Sequence, residues 1–189
     1  MVDFQHDIDQ CLLVLRNGGT ILYPTDTIWG IGCDATNTKA VEKIYTLKQR
    51  TDEKAMIVLV TDEKEVLQHT AGTDLQIFDH LKKAGKPTTV IYNGAIGFAR
   101  NLQGKDASIG IRICNDQFCK HLIKRLRKPI VSTSANISGQ PAARTFSEIK
   151  DEIKNNVDYI VKYRQDDNTI AESSSVIKWS KGSVIVIRP

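Results

Sequence analysis

A run of small hydroxyl and amide residues at positions 132–139 is the part of the sequence best suited to chemistry. It reads Ser-Thr-Ser-Ala-Asn-Ile-Ser-Gly and follows an apolar strand candidate at residues 129–131. A strand that leads into such a loop offers backbone N–H groups, hydroxyls and little side-chain bulk, which suit an anionic nucleotide. The run therefore predicts a nucleotide-binding loop, and with the next two segments it indicates an enzyme.

A second segment, residues 23–27 (Tyr-Pro-Thr-Asp-Thr), lies where a strand would end. Proline fixes the backbone there, and the hydroxyls of Thr25 and Thr27 are free to hydrogen-bond a small polar substrate. The same residue types are also common in turns and helix caps. Taken alone, the segment fits a substrate rim and a structural turn about equally well.

Two basic side chains, Lys48 and Arg50, follow a helix pattern and precede a strand pattern. On an extended or irregular segment they would point the same way and could clamp a polyphosphate, whereas on a continuing helix they would diverge. Lys54 could add a third positive charge. As an isolated pair, these residues are more typical of ordinary surface charge.

Arg112 interrupts the apolar run of residues 109–113, and alternation along a strand places it on the same face as Gly110. An arginine beside a glycine has room to bind a carboxylate through two parallel hydrogen bonds. Solvent exposure on an amphipathic strand is the simpler explanation, unless the sheet is covered on both sides.

Composition and missing motifs narrow the function further. The net charge of +4 permits a nucleic-acid partner without requiring one. A basic cluster in residues 120–128 could meet phosphates, but it is more typical of a solvated helix face. We find no Cys-x-x-Cys pair, no local catalytic triad and no Rossmann or P-loop glycine pattern, so neither structural zinc nor covalent catalysis is expected. The sequence also lacks a leader or membrane-spanning pattern, which predicts a cytoplasmic protein.

Apolar periodicity predicts helices interleaved with strands and a closing hairpin that turns at Lys181 and Gly182. This pattern indicates an α/β fold with a mixed sheet, in a single domain spanning residues 1–189. Thr38 is the expected cap of the second helix. Helices are predicted around residues 8–15, 38–47, 75–81, 118–126 and 146–153, and strands at residues 20–23, 55–60, 88–92, 108–113, 129–131, 174–177 and 183–187.

These segments, in this order, resemble the YrdC-type threonylcarbamoyl-AMP synthase family in its short, single-domain form. The resemblance spans nearly the whole chain. Besides the segments above, it includes Pro87-x-Thr89, Ser174-Ser175-Val176 and the final Arg188-Pro189. It implies a twisted open α/β sheet, flanked by helices, around a large positively lined cavity. It also implies synthesis of threonylcarbamoyl-AMP and pyrophosphate from L-threonine, bicarbonate and ATP with Mg²⁺, for a separate transferase that modifies tRNA.

The resemblance assigns roles to individual residues. Lys48 and Arg50 would hold the ATP triphosphate, while Ser134 and Asn136 would bind the nucleotide. Threonine would be surrounded by Thr25, Thr27, Arg112 and Ser175, with Arg112 on its carboxylate. No covalent nucleophile is expected, and Mg²⁺ would be held mainly by the ATP phosphates.

The sequence departs from the family pattern mildly at residues 85–89 and 174–176, and more strongly in two other places. The phosphate-binding turn from Gln49 to Met56 lacks the usual Gly and Pro residues, and the glycines that often precede the last serine motif are replaced near Arg164. Two alternatives therefore stay open. The chain could be a paralogue with another substrate or no activity, or a YrdC-like module that binds double-stranded RNA or tRNA.

Overall fold

The computed structural model describes residues 4–50, 56–180 and 182–189. Within these ranges the chain alternates between helices and strands, with one short 3₁₀ turn at Arg100–Leu102. The helices are α1 (Gln5–Arg16), α2 (Thr38–Leu47), α3 (Glu63–His69), α4 (Gln76–Lys83), α5 (Gln117–Leu126) and α6 (Asp151–Lys154). The strands are β1 (Ile21–Tyr23), β2 (Gly30–Gly32), β3 (Ile57–Val60), β4 (Thr88–Tyr92), β5 (Ile109–Ile113), β6 (Ile130–Ser134), β7 (Tyr159–Ile160), β8 (Ser175–Ser180) and β9 (Ser183–Arg188).

All nine strands form one mixed sheet in the order β7-β1-β2-β6-β3-β5-β4-β8-β9. The pairs β1–β7, β3–β5 and β4–β8 are parallel, and the other neighbours are antiparallel. The predicted α/β fold with a mixed sheet is thereby confirmed. Every helix of the described ranges is too short or too polar to cross a membrane.

The two faces of the central strands differ in chemistry. Strand register places Val58, Val90, Ile111 and Val131 in one row, and all four are buried in the hydrophobic core. Because the side chains of a strand alternate, the opposite face carries Ser132, Gly110 and Arg112 beside apolar residues such as Leu59. This second face is the one that builds the site described below.

Helix α2 ends at a sharp change of backbone direction. Its N-terminus is capped by Asn37, whose side chain accepts hydrogen bonds from two backbone N–H groups, so the cap lies one residue before the expected Thr38. At the other end Lys48 is the C-cap and Gln49 has a left-handed φ of 50°. The expected third positive charge, Lys54, and the start of the predicted strand at Ala55 lie outside the described residues.

The structure corrects several expected boundaries. Strand β6 continues to Ser134, so three residues assigned to the loop belong to the sheet, where they pair with β2 and β3. The helix expected around Phe146 is reduced to the single turn of α6. Strands β2 and β7 and helix α3 were not predicted. All four cysteines are buried, and none forms a disulfide.

Candidate functional site

A cavity of about 190 Å³ lies over the polar face of the sheet. Residues from the ends or middle of β2, β3, β5, β6 and β9 line it, together with the segment before β2 and the segment before β8. Its lining residues are Thr27, Ile28, Trp29, Gly30, Arg50, Met56, Ile57, Arg112, Ser132, Thr133, Ser134, Ser173, Ser174 and Arg188. The described lining residues thus include three arginines and no carboxylate, which favours an anionic ligand.

The floor of the cavity follows from strand register. Ser132 pairs with Ile57, and Ser134 pairs with Gly30, so these residues share one face. A Cβ atom on Gly30 would come within 3.0 Å of the Ser132 hydroxyl. Glycine at position 30 therefore leaves the serine hydroxyls accessible from the cavity, and the polar run of residues 132–134 contributes through a strand as well as through a loop.

Arg112 lies on this floor and is almost completely buried, so it is not a solvent-exposed strand residue. Its Nη2 atom lies 3.0 Å from Oδ1 of Asp26, and both side chains are largely shielded from water. The geometry is that of an ion pair without an aligned hydrogen bond, because Nε and Nη2 of Arg112 have no hydrogen-bond partner in the described structure. The guanidinium therefore keeps donors for a ligand while Asp26 balances its charge.

Two other arginines approach the cavity from different elements. Arg50 follows the turn at the end of α2, and Arg188 ends β9. Arg188 donates from Nε and Nη2 to the carbonyl oxygen of Ser174, at 3.2 and 2.7 Å. The Ser174 hydroxyl in turn contacts the hydroxyl of Thr89 at 2.9 Å. Residues far apart in the chain thus converge on one side of the cavity.

Lys48 does not line the cavity, although it was expected to contact the triphosphate. Its side chain is buried, and Nζ donates to the carbonyl oxygens of Ser134 at 2.5 Å and Asn136 at 2.6 Å. Burial, with a smaller contribution from the nearby Arg50 charge, lowers the pKa of Lys48 to about 8. Lys48 and Arg50 therefore have different surroundings, even though only one residue separates them.

Asn136 also lies beside the cavity lining instead of within it. Its Nδ2 donates to the carbonyl oxygens of Ile137 at 3.0 Å and Gln140 at 2.6 Å, which holds the loop after β6 in shape. Its Oδ1 is buried without a hydrogen-bond partner among the residues described. This oxygen is an acceptor without a donor, which is unusual for a buried amide.

The two threonines of the segment after β1 differ in what their hydroxyls do. Thr25 Oγ1 donates to the carbonyl oxygen of Ile28 at 2.8 Å and accepts from the Thr27 N–H at 3.0 Å. Thr25 therefore builds the turn that presents Thr27, and Thr27 lines the cavity. The structural-turn interpretation applies to Thr25, and the substrate-rim interpretation stays a prediction for Thr27.

Ser175 is buried and its hydroxyl has no partner within the described part of the chain. It pairs with Thr88 in the sheet, whereas the neighbouring Ser174 lines the cavity. Since consecutive residues of a strand point to opposite faces, only one of the two serines can face the cavity from this position. The structure places Ser174 there.

A second cavity of about 200 Å³ adjoins the first, and the two share Thr27 and Trp29. Arg164 lines it with a left-handed φ of 65°, the conformation that glycine adopts most easily. Its Nη2 atom pairs with Asp116 at 3.0 Å and donates to the carbonyl oxygen of Thr25 at 3.3 Å. Arg164 thus adopts a backbone conformation typical of glycine, and its side chain supports the Thr25 segment.

The basic cluster near α5 is partly neutralised by acidic neighbours. Arg125 pairs with Asp9 at 2.9 Å, and Lys128 pairs with Asp34 at 2.5 Å. Pairing of this kind lowers the positive potential that a phosphate backbone would meet. These ion pairs agree with the expected solvated helix face.

Four of the eight expected site residues line the main cavity, namely Thr27, Arg50, Arg112 and Ser134. Among the other lining residues, Ser132, Ser174 and Arg188 are polar or charged and were given no individual role from the sequence. Each lies within or at the end of a motif already quoted. Strand alternation could have identified Ser132, because it lies on the same face as Ser134. No group of three or more His, Cys, Asp or Glu side chains in the described ranges is placed to hold a metal ion.

Comparison with known proteins gives consistent matches. The chain is 34% identical to the threonylcarbamoyl-AMP synthase of Idiomarina loihiensis over 146 residues, which cover 76% of this chain and 78% of that protein. It is 30% identical to the protein of the same name from Photobacterium profundum over 159 residues, covering 82% of this chain and 86% of the relative.

Solved structures share the fold. P. abyssi Sua5 complexed with L-threonine superposes with a TM-score of 0.86 at 20% identity, and the match covers 100% of this chain. It covers 55% of the Sua5 chain, so this chain spans about half of that protein. E. coli YciO superposes with a TM-score of 0.84 at 27% identity, over 97% of this chain and 89% of YciO.

The family comparison covers the segments that build the site. The Sua5/YciO/YrdC family model, which carries the description "Telomere recombination", matches residues 13–189. That range includes all the described residues that line the main cavity. The chain therefore belongs to the Sua5/YciO/YrdC family.

Proposed function

We propose that this protein is a threonylcarbamoyl-AMP synthase. The observation that carries the proposal is a cavity lined by Arg50, Arg112 and Arg188, whose other described lining residues include serines and threonines. Such a lining suits a ligand set that brings a carboxylate and several phosphates together. The two relatives described above, which carry this name, support the proposal.

The reaction would join three substrates. The amino group of L-threonine attacks the carbon of bicarbonate, or of the CO₂ derived from it, and one bicarbonate oxygen leaves as water. An oxygen of the resulting carbamate attacks the α-phosphorus of ATP, and pyrophosphate leaves. The products are threonylcarbamoyl-AMP and pyrophosphate. Catalysis rests on positioning and charge neutralisation, since no step needs a protein nucleophile.

Residues of the cavity have separate tasks in this proposal. Arg112 binds the threonine carboxylate, because it lies on the floor of the cavity and has donors without a partner in the described structure. Thr27 and Ser174 supply hydroxyls to threonine, and Thr25 acts through the turn that presents Thr27. Arg50 and Arg188 neutralise the phosphates, while Ser134 and the loop containing Asn136 hold the nucleotide.

Magnesium would enter with ATP. The described lining residues include serines and threonines and no carboxylate, so the phosphate oxygens would be the main ligands of Mg²⁺. The metal would share the charge of the leaving pyrophosphate. In the cell, we place the protein in the cytoplasm, where its product would pass to a separate transferase acting on tRNA.

Pyrophosphate release tests the proposal. Purified protein with ATP, Mg²⁺ and bicarbonate should release pyrophosphate when L-threonine is added, and much less with L-serine. Mass spectrometry should find threonylcarbamoyl-AMP in the same mixture. Release that is independent of the amino acid, or absent from a folded protein, would favour a paralogue with another substrate or the RNA-binding module.

A further inference from the structure

The side chain and the backbone of Lys48 both contact the loop that follows β6. Its Nζ donates to the carbonyl oxygens of Ser134 and Asn136, and its own carbonyl oxygen accepts from the N–H of Ser138 at 3.0 Å. Three hydrogen bonds therefore tie one lysine to a five-residue stretch. They connect the end of α2 to a segment 86 residues further along the chain.

The environment of Lys48 suits this structural contact better than direct contact with a ligand. The residue is 2% exposed and is not part of the cavity lining, whereas Arg50 and Ser134 are. Two of the three N–H groups of its ammonium are already used by carbonyl oxygens. A phosphate would have to displace one of these acceptors or bind the remaining N–H group.

We propose that Lys48 is a positioning residue that holds residues 134–138 against the cavity, and that it does not bind the ATP phosphates directly. The inference rests on the proposed function only for the identity of the nucleotide. Without the two side-chain bonds, the loop would keep only the backbone bond from Ser138 to Lys48, and the backbone that carries the Ser134 and Asn136 side chains would be held less firmly. Binding would then require the loop to be ordered again.

The same contacts assign different roles to the two basic residues after α2. Lys48 acts on the loop through backbone carbonyls, while Arg50 acts on the ligand from the cavity lining. Replacing a lysine that positions the loop alters the loop even when no ligand is present. Replacing a residue that only binds phosphate alters only the complex with ATP.

Amide hydrogen exchange of the ligand-free protein separates these roles. We would compare the wild type with Lys48→Met and with Arg50→Met, which removes a neighbouring positive charge. In Lys48→Met, the amides of Ala135, Asn136 and Ser138 should exchange about tenfold faster or more, while Arg50→Met leaves them unchanged. The Val131 amide, which is bonded to Cys33 in the sheet, reports global stability and should stay protected in both variants.

Unchanged exchange at residues 135–138 in Lys48→Met would overturn the proposal, and so would equal acceleration in Arg50→Met. If Lys48→Met does not fold, Lys48→Gln replaces it. Glutamine keeps two N–H donors on a shorter side chain, so loop exchange should then lie between the wild-type rate and that of the freely exchanging chain. If the amides of residues 135–138 exchanged at the wild-type rate in Lys48→Gln, that result would contradict the inference.

Kinetics provide a second test that applies once threonine-dependent pyrophosphate release is observed. Lys48→Met should raise the KM for ATP about tenfold and leave the KM for threonine nearly unchanged. If the release assay fails, the exchange result still stands, because it uses no ligand. If the exchange result fails while release succeeds, only the positioning role is lost.

Discussion

Arg50 and Arg112 line the same cavity, and the proposed reaction gives each a different anion. Replacing Arg112 by alanine would leave Asp26 as an unpaired, largely buried carboxylate, so lysine is the better test. Lysine keeps the charge that balances Asp26 but loses the two-pronged geometry for a carboxylate. Arg112→Lys should raise the KM for threonine about 10- to 100-fold, with the KM for ATP nearly unchanged.

Arg50→Lys is the matched control for this experiment, since it makes the same chemical change at the other end of the cavity. It should raise the KM for ATP and leave the KM for threonine nearly unchanged. Initial rates of pyrophosphate release, with each substrate varied in turn, measure both constants. Equal increases of both constants in both variants would remove the separate roles of the two arginines.

Lys48 supplies a prediction about pH and stability. Its pKa is about 8 in the folded protein, against an ordinary value of 10.5. The buried charge therefore opposes folding fully below pH 8, and deprotonation relieves this cost between pH 8 and 10.5. The free energy of unfolding of the wild type, relative to Lys48→Met, should rise across this window by up to about 3 kcal/mol.

Urea denaturation of both proteins at pH 7, 8.5 and 10 measures this difference. Other groups titrate in the same range, but they are common to both proteins and cancel in the comparison. A difference that stays constant or falls with pH would show that Lys48 keeps an ordinary pKa when folded.

The elements of the fold were predictable where several apolar residues repeat, as in α5 and β5. Helix α3 was missed because Val66 is its only buried residue, which leaves no periodicity to detect. Strand β6 was cut short because serine and threonine are typical of loops, although Ser132 and Ser134 extend from a paired strand into a polar cavity. The contact of Arg112 with Asp26 joins residues 86 positions apart, and no local pattern encodes it.

Strand β2 packs closely against a side chain of β1 and the backbone of β6. A Cβ atom on Gly32 would lie 2.6 Å from Cε1 of Tyr23 and 2.7 Å from the carbonyl oxygen of Val131. Backbone on one side and a buried ring on the other leave little room to adjust. Gly32→Ala should therefore lower the free energy of unfolding by about 1 to 3 kcal/mol or more.

Gly85 offers a matched control, because a Cβ atom there would meet no heavy atom within 4 Å and its φ is not in the left-handed region. Gly85→Ala should change stability by less than about 0.5 kcal/mol. Urea denaturation measures both variants. Equal stability of the two variants would mean that the strands around Gly32 can move apart without cost.

At the scale of the whole molecule, two groups of basic residues have different surroundings, one in the cavity and one near α5. In the cavity, Arg50 and Arg188 approach the same space, whereas near α5 acidic residues neutralise part of the cluster. The total charge of +4 does not distinguish these regions. A compact polyanion such as pyrophosphate should prefer the cavity, because several cations converge there in a partly enclosed space.

Thermal unfolding with pyrophosphate tests this preference. A ligand that binds only the folded state at 100 times its Kd adds about 2.7 kcal/mol, which for a chain of this length raises Tm by roughly 5 to 10 °C. Arg188→Gln should reduce this rise, while Lys124→Gln, the same loss of charge on exposed α5, should preserve it. Equal losses in both variants would mean that pyrophosphate responds to net charge alone, and the cavity would then have no special affinity for phosphate.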